Sequence, residues 1–266
     1  MRAALIGSLL CLCLWPTAEA RGRSEMVHPS FSLSLESLGK LLEGMPTESA
    51  GRILSAPGVF LDLLKETYDS PKDLLVLVDK PHGLPTDFIP PDLVPLSRYR
   101  LTTNKPDLVL SHALMPDLLA MAESAAAEGV TLVLSSAYRS FERQQALFNE
   151  GLRTKTGEEL EKELARAGHS QHQLGTAMDF GSVDLSFAET PGGKWLRENA
   201  WRFGFSLSYP LGQEKITGYS YEPWHYRYIS RSAARLARDY FADSQQRFLE
   251  FWAREGQALR RLRKPY

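Results

Sequence analysis

Cysteine is nearly absent from this chain: its 266 residues include two, Cys11 and Cys13, both near the N-terminus. The segment around them, residues 1–20, reads as a secretory signal. It has Arg2 as the positive start, an apolar run from Ala3 to Trp15, and Ala18-Glu19-Ala20 as a small-x-small cleavage site. A lipid anchor at either cysteine is disfavoured, because the polar segment before them is too short. Cleavage would leave a chain beginning near Arg21 with no cysteine, which excludes disulfides and thiolate chemistry in any oxidising compartment. Long apolar runs are lacking as well. Ala3–Trp15 falls short of the roughly 20 residues that cross a bilayer, and no later segment is longer, so no stable membrane span is expected after cleavage. The expected location is therefore outside the cytoplasm, in the periplasm or cell envelope. Charge of one sign is missing too: 31 basic against 32 acidic residues give a net charge of −1. The leader carries one of each, Arg2 and Glu19, so its removal leaves that balance unchanged, and no nucleic-acid partner is expected. Repeats and low-complexity tracts are absent, and nothing in the pattern specifies an oligomeric state. What remains, 43% hydrophobic and 24% charged residues, suffices for one sizeable core.

Along the chain, Leu38, Leu41, Leu42, Leu61 and Leu64 recur at helical spacing, interrupted at Met45-Pro46-Thr47 and Ala56-Pro57-Gly58. Two or three short helices are predicted across residues 21–70. Leu74–Val78 suits a buried strand, and the proline-rich passage from Pro81 to Pro95 must be irregular. A helix over Pro116–Glu128 closed by Gly129, a strand at Thr131–Leu134, and a helix over Phe141–Glu150 capped by Ser140 follow. Further on, Glu158–Ala167 and Lys194–Phe203 read as helices, Thr176–Phe180 and Trp224–Ile229 as strands. The fold class is α+β: a small central antiparallel sheet flanked by helices, with helical N- and C-terminal extensions. The corresponding divisions are residues 1–20, 21–70, 71–230 and 231–266. The last is one long helix or two, ending in the basic residues Arg260, Arg261, Arg263 and Lys264, and reads as a solvated helix packed on the domain.

Three of the six histidines, His169, His172 and His225, sit in dense polar neighbourhoods beside glycines and carboxylates. In Gly168-His169-Ser170-Gln171-His172-Gln173-Leu174-Gly175-Thr176-Ala177-Met178-Asp179, a histidine precedes a turn glycine and a short strand that closes on an aspartate. Loop and strand can thus aim His172 and Asp179 at one point. A second cluster, Tyr221-Glu222-Pro223-Trp224-His225-Tyr226-Arg227-Tyr228, puts a carboxylate three residues before a histidine, with Pro223 opposing a helix between them. Three positions apart on a flat strand face oppositely, so a turn or bulge is required if both line one site. Two imidazoles and a carboxylate suit Zn2+ with a fourth position left open. Hydrolysis at such a site still needs a carboxylate to take the water's proton and pass it to the leaving group, and Glu222 is the candidate. Each histidine alone reads more simply as a satisfied structural residue; the paired clusters reverse that preference. In Ser135-Ser136-Ala137-Tyr138-Arg139-Ser140, Arg139 can clamp a terminal carboxylate with its planar fork, or pair with a surface acid.

Together these motifs resemble the VanY-type D-alanyl-D-alanine carboxypeptidases, zinc peptidases of the LAS group. The resemblance runs from Leu74-Leu75-Val76-Leu77-Val78-Asp79-Lys80 and Pro90-Pro91-Asp92-Leu93-Val94, through Ser136-Ala137-Tyr138-Arg139-Ser140, to Glu222-Pro223-Trp224-His225-Tyr226-Arg227-Tyr228. It implies zinc held by His172, Asp179 and His225, Glu222 as catalytic base, Arg139 on the substrate carboxylate, and Ser170 and Gln144 hydrogen-bonded to the substrate peptide. It also implies peptidoglycan stem peptides ending in D-Ala as substrate, with attack by water and no covalent intermediate. Two departures stand out. Many relatives have proline where Ala167 stands, with an effect expected on the loop presenting His172. Many have a basic residue where Ser208 precedes Tyr209-Pro210, with an effect expected on substrate contacts.

The residues leave other readings open. An L,D-carboxypeptidase acting on tetrapeptide stems needs the same metal and base, and the sequence does not choose between the two bonds. A dipeptidase is disfavoured, as it must close its pocket on a free amine. Iron(II) in an oxygenase also takes two histidines and a carboxylate, but the carboxylate beside the last ligand has a hydrolytic role and the leader points away from cytoplasmic cosubstrates. A non-catalytic zinc module that binds wall peptides would not need Glu222.

Overall fold

The computed structural model describes residues 26–264, so the secretory-signal reading, with Cys11 and Cys13, lies outside the described residues. Among the described residues no helix is long and apolar enough to cross a membrane. The chain opens with three helices, α1 (Leu35–Leu41), α2 (Thr47–Ser55) and α3 (Pro57–Tyr68), broken where the prolines predict. Pro57 fits the first turn of α3, where its missing N–H has no intrahelical partner to lose. Phe60, Leu61 and Leu64 form the buried face of α3.

Leu74–Val78 is not a strand. A short 3-10 turn, Lys72–Leu75, leads into extended chain, and the Leu74 and Val76 carbonyls accept from Arg227 Nη2 at 2.9 and 2.8 Å. Leu74 and Leu75 are buried as their hydrophobicity demands, yet a guanidinium takes carbonyls that a neighbouring strand would otherwise pair. Next come β1 (Leu93–Pro95), β2 (Thr102–Thr103) and β3 (Val109–Ser111), none of them anticipated from sequence. Strands of two or three residues leave too little alternation to read.

The helix α4 (Met115–Ala127), strand β4 (Val133–Ser136) and helix α5 (Phe141–Gly151) follow the sequence pattern, with Ser140 Oγ accepting from Arg143 N at 3.2 Å. The helix expected over Glu158–Ala167 stops early, at α6 (Gly157–Leu160), and continues as turns. The Ala165 carbonyl is taken instead by the Gln144 side-chain amide at 2.6 Å. Beyond it lie β5 (Ala177–Phe180), α7 (Pro191–Asn199), β6 (Phe205–Leu207), α8 (Glu214–Thr217) and β7 (His225–Tyr228). The main sheet runs β2-β4-β5-β7-β6; β2 is parallel to β4 and the other pairs are antiparallel, while β1 and β3 form a separate ribbon.

The tail is two helices, α9 (Arg231–Tyr240) and α10 (Gln245–Leu262), linked through Ala242 and Asp243 in the left-handed region. They share one core with the N-terminal helices. Phe60 meets Tyr240 and Phe251 edge-on, and Tyr68 donates its hydroxyl to the Gly256 carbonyl at 2.6 Å. The basic end is packed down, with Arg260 over the Tyr68 ring and Arg263 paired to Asp69.

Candidate active site

Asp179 and His225 are directly opposed across β5 and β7, which puts their side chains on one face of the sheet. His172 arrives from a 3-10 turn, Gln171–Leu174, that ends at Gly175 with φ 67°. A Cβ at Gly175 would lie 2.9 Å from Leu93 Cδ2, so both the backbone conformation and the close packing call for glycine. The turn is gripped by the Ala137–Arg139 segment: Arg139 N donates to the His172 carbonyl at 3.2 Å, and His172 Nδ1 lies 2.7 Å from the Ala137 carbonyl.

Glu222 reaches the same place because Pro223 and Trp224 form a turn, closed by His225 N donating to the Glu222 carbonyl at 3.1 Å. The turn required between Glu222 and His225 is present. Glu222 Oε2 lies 3.7 Å from His225 Nδ1, and Asp179 Oδ1 lies 3.0 Å from that nitrogen. The Glu222 backbone N–H is tied to the Tyr209 carbonyl at 3.1 Å.

These groups are removed from water: His172, Asp179 and His225 are each 4% exposed and Glu222 9%. Burial lowers the His172 pKa to about 4, against the opposing pull of Asp179, so the ring is neutral at neutral pH. Burial works against ionisation of Asp179, but positive charge placed among the facing imidazoles outweighs it and holds the carboxyl below its usual range. Burial, reinforced by Asp179 and offset by His225 and Arg139, pushes Glu222 up to about 7.

One ligand atom from each of His172, Asp179 and His225 lies within 4.8 Å of the other two. The hydrogen-bond pattern tests whether a cation belongs between them. The Ala137 carbonyl only accepts, so His172 Nδ1 carries the proton and Nε2 presents its lone pair toward Asp179 Oδ2, 3.3 Å away. A lone pair facing an ionised carboxylate is repulsive unless a positive charge stands between them. The donor set, two imidazoles and a carboxylate with one ring nitrogen anchored on a carbonyl, fits zinc.

The four residues open on a cleft that Arg139, Gln144 and Ser170 also line. Arg139 Nη1 donates to Gln144 Oε1 at 2.8 Å and Nη2 to Ser136 Oγ at 3.2 Å. Gln144 is fully buried, with its oxygen on Arg139 and its amide on the Ala165 carbonyl, so it orients the guanidinium. Ser170 is buried at the cleft wall. The seven residues given a role at the site in the sequence thus share one cavity, while His169, the third histidine of the clusters, does not line it. Ser208 does not line it: at 2% exposure its backbone N–H donates to the His225 carbonyl, behind that histidine rather than in front of it. That placement corrects the expected effect of Ser208 on substrate contacts. Sequence reasoning missed Tyr209, whose ring lies 5.0 Å from that of His225, and Tyr219, 4.7 Å beyond. It also missed the Ala137 carbonyl, for which no sequence signal exists because every residue carries one.

Comparison with known proteins bears directly on this geometry. The family model for VanY, D-alanyl-D-alanine carboxypeptidase, matches residues 107–231, which contain every candidate metal ligand and cleft residue named above. The solved LdcB LD-carboxypeptidase is 32% identical, with a TM-score of 0.62 over 66% of this chain and 86% of its own. The chain belongs to the VanY family of D-alanyl-D-alanine carboxypeptidases. A VanY mutant from a VanB-type vancomycin resistance cassette, solved with Zn(II), is 29% identical, with a TM-score of 0.55 over 67% of this chain and 99% of its own. VanYB in complex with D-alanine-D-alanine gives 30%, a TM-score of 0.55, and coverage of 66% and 97%. YodJ of Bacillus subtilis (strain 168) is 35% identical over 181 residues, 65% of this chain and 66% of YodJ. The match therefore spans less than two thirds of the length of this and other curated relatives.

Proposed function

We propose that the protein is an exported, zinc-dependent D-alanyl-D-alanine carboxypeptidase that trims the terminal D-alanine from peptidoglycan stem pentapeptides in the periplasm or cell envelope. The observation that carries the reading is the shared cleft. A guanidinium whose hydrogen bonds go to neutral Gln144 and Ser136 stands in one cavity with a buried His-Asp-His set and Glu222. In this assignment residues 71–230 form the catalytic unit, with helical segments at 21–70 and 231–266.

Arg139 takes the C-terminal carboxylate of the peptide with its planar fork, which Gln144 keeps oriented. Ser170 and the remaining hydrogen-bonding capacity of Gln144 meet the peptide backbone. His172, Asp179 and His225 would hold zinc, which when bound would supply Lewis-acid polarisation of the scissile carbonyl and lower the pKa of water. Glu222 accepts the attacking water's proton on a carboxylate oxygen and delivers it to the departing D-alanine amine. His172, Asp179, His225 and Glu222 are buried, so these charges act in a low-dielectric setting. The VanYB complex with D-alanine-D-alanine supports a ligand of this chemistry.

The second reading is the L,D-carboxypeptidase, favoured by the higher TM-score to LdcB, 0.62 against 0.55 for VanYB. The deciding experiment supplies synthetic stem pentapeptide and tetrapeptide separately, before and after chelation and zinc restoration. Zinc-dependent D-alanine release from the pentapeptide is expected. Release from the tetrapeptide alone would move the assignment to the L,D-enzyme, and release from neither would overturn both.

A further inference from the structure

Two consecutive residues in the first turn of α10, Gln245 and Gln246, are 1% and 7% exposed and point into the catalytic region. They lie beyond residue 231, where the family match ends. The Gln245 side-chain amide donates to the Ser206 carbonyl at 3.3 Å and to Ser208 Oγ at 3.2 Å. Ser208 in turn donates its hydroxyl to Gln171 Oε1 at 2.7 Å. Gln171 immediately precedes His172 and opens the turn that presents it. The donors all run one way, from the tail helix to the metal loop, and the relay is buried throughout.

Gln246 takes a separate route. Its amide donates to Asp79 Oδ2 at 2.7 Å, while Asp79 Oδ1 accepts from the His82 backbone N–H at 2.8 Å. The Asp79 carbonyl faces His169 Nδ1 at 2.9 Å, three residues before His172. Successive helix positions diverge by about 100°, which lets adjacent glutamines reach two different segments. The loop from His169 to His172 is therefore held at both ends by a helix outside the matched region.

We infer that Gln245 and Gln246 are positioning residues for the metal loop: α10 fixes His172 through Gln245, Ser208 and Gln171, and fixes His169 through Gln246 and Asp79. Of the side chains in these two routes only that of His172 lines the cleft, so the others act on the ligand's placement rather than on substrate. Ser208 has a specific part in this arrangement, since a longer basic side chain there would break the relay. The inference rests on the reading of His172 as a zinc ligand, but its structural arm does not depend on peptidase activity.

The test uses the full chain with Gln245→Leu, Ser208→Ala, the double variant, and Gln257→Ala as a control on the exposed side of α10. Zinc affinity is measured by chelator competition, and backbone hydrogen exchange over residues 169–175 is measured on metal-free protein. Gln245→Leu and Ser208→Ala should each weaken zinc binding about fivefold, the fold-change expected for one buried hydrogen bond, and the double variant should lose no more than either alone. Exchange over residues 169–175 should quicken in these variants and not in Gln257→Ala. Should Gln245→Leu fail to fold, Ser208→Ala, which removes a single oxygen, decides the matter by the same two measurements. Unchanged exchange and zinc affinity, with only a lower Tm, would overturn the inference. If the wild-type protein binds zinc but releases no D-alanine, the carboxypeptidase reading fails and the exchange result still decides this one.

Discussion

His172 Nδ1 is anchored on the Ala137 carbonyl at 2.7 Å, and that bond fixes which nitrogen is left to face Asp179. Without a cation, the Nε2 lone pair meets the carboxylate at 3.3 Å. Zinc should consequently raise the Tm of chelator-treated protein, because it binds the folded site and not the unfolded chain. Asp179→Asn keeps the shape and removes the charge, so its zinc affinity should fall more than about tenfold, a loss at least as large as those seen for outer-shell changes. Chelator competition checks both, and an Asp179→Asn variant with wild-type affinity would remove Asp179 from the ligand set.

Glu222 stands beside the proposed ligands, its oxygen 3.7 Å from His225 Nδ1, without being needed to complete the set. Glu222→Gln should retain zinc and lose about 10²-fold to 10⁴-fold in D-alanine release, the usual range for a removed general base. His225→Ala should lose both zinc and hydrolysis. Metal content by atomic spectroscopy, paired with D-alanine assay, separates the two; full turnover by Glu222→Gln would sink the base assignment.

Arg139 is expected to read a carboxylate, so capping the peptide terminus as a carboxamide should abolish cleavage. Arg139→Lys keeps the charge but loses the fork and its bond to Gln144, and should lower kcat/KM by about tenfold to hundredfold. Steady-state kinetics on the free acid and the amide check this, and equal rates on both substrates would reassign Arg139 to a structural role.

Tyr68 links the two helical extensions through its hydroxyl on the Gly256 carbonyl. Burial raises its pKa well above 10, outweighing the nearby Arg260 and Arg263. In the unfolded chain the phenol ionises near pH 10, whereas in the fold it stays protonated. The stability it contributes is thus complete below about pH 10 and is lost as pH rises beyond that. Tyr68→Phe should cost about 1 kcal/mol at neutral pH and decline less steeply in alkali than wild type. Urea unfolding at neutral pH and above pH 10 measures both, and identical alkaline slopes would contradict the argument.

Much of the site was legible because its chemistry sits in short contiguous motifs. His172 and Asp179 are separated by one turn and one strand, and Glu222 and His225 by one proline-containing turn. The helices α4 and α5 were readable from their periodicity and their punctuation by Gly129 and Ser140. Leu74–Val78 misled because hydrophobicity reports burial and not hydrogen-bond partner, and the partner here is Arg227, far along the chain. Glu158–Ala167 misled because charged, helix-favouring residues describe local propensity, while the carbonyl of Ala165 answers to Gln144.

The sequence by itself determined the residue types at the site, the turn glycine at 175, the turn at Pro223, and membership of a chemistry that needs two imidazoles, a carboxylate and a base. Only the tertiary structure decided that β5 and β7 register Asp179 against His225, that the Ala137 carbonyl selects the proton position on His172, and that α10 reaches back through Gln245 and Gln246 to the metal loop. The division has a physical cause. Local motifs encode geometry within a turn or a strand, but carbonyl acceptors and neutral amides carry no distinguishing sequence signal, so their pairing is set only when distant segments are packed together.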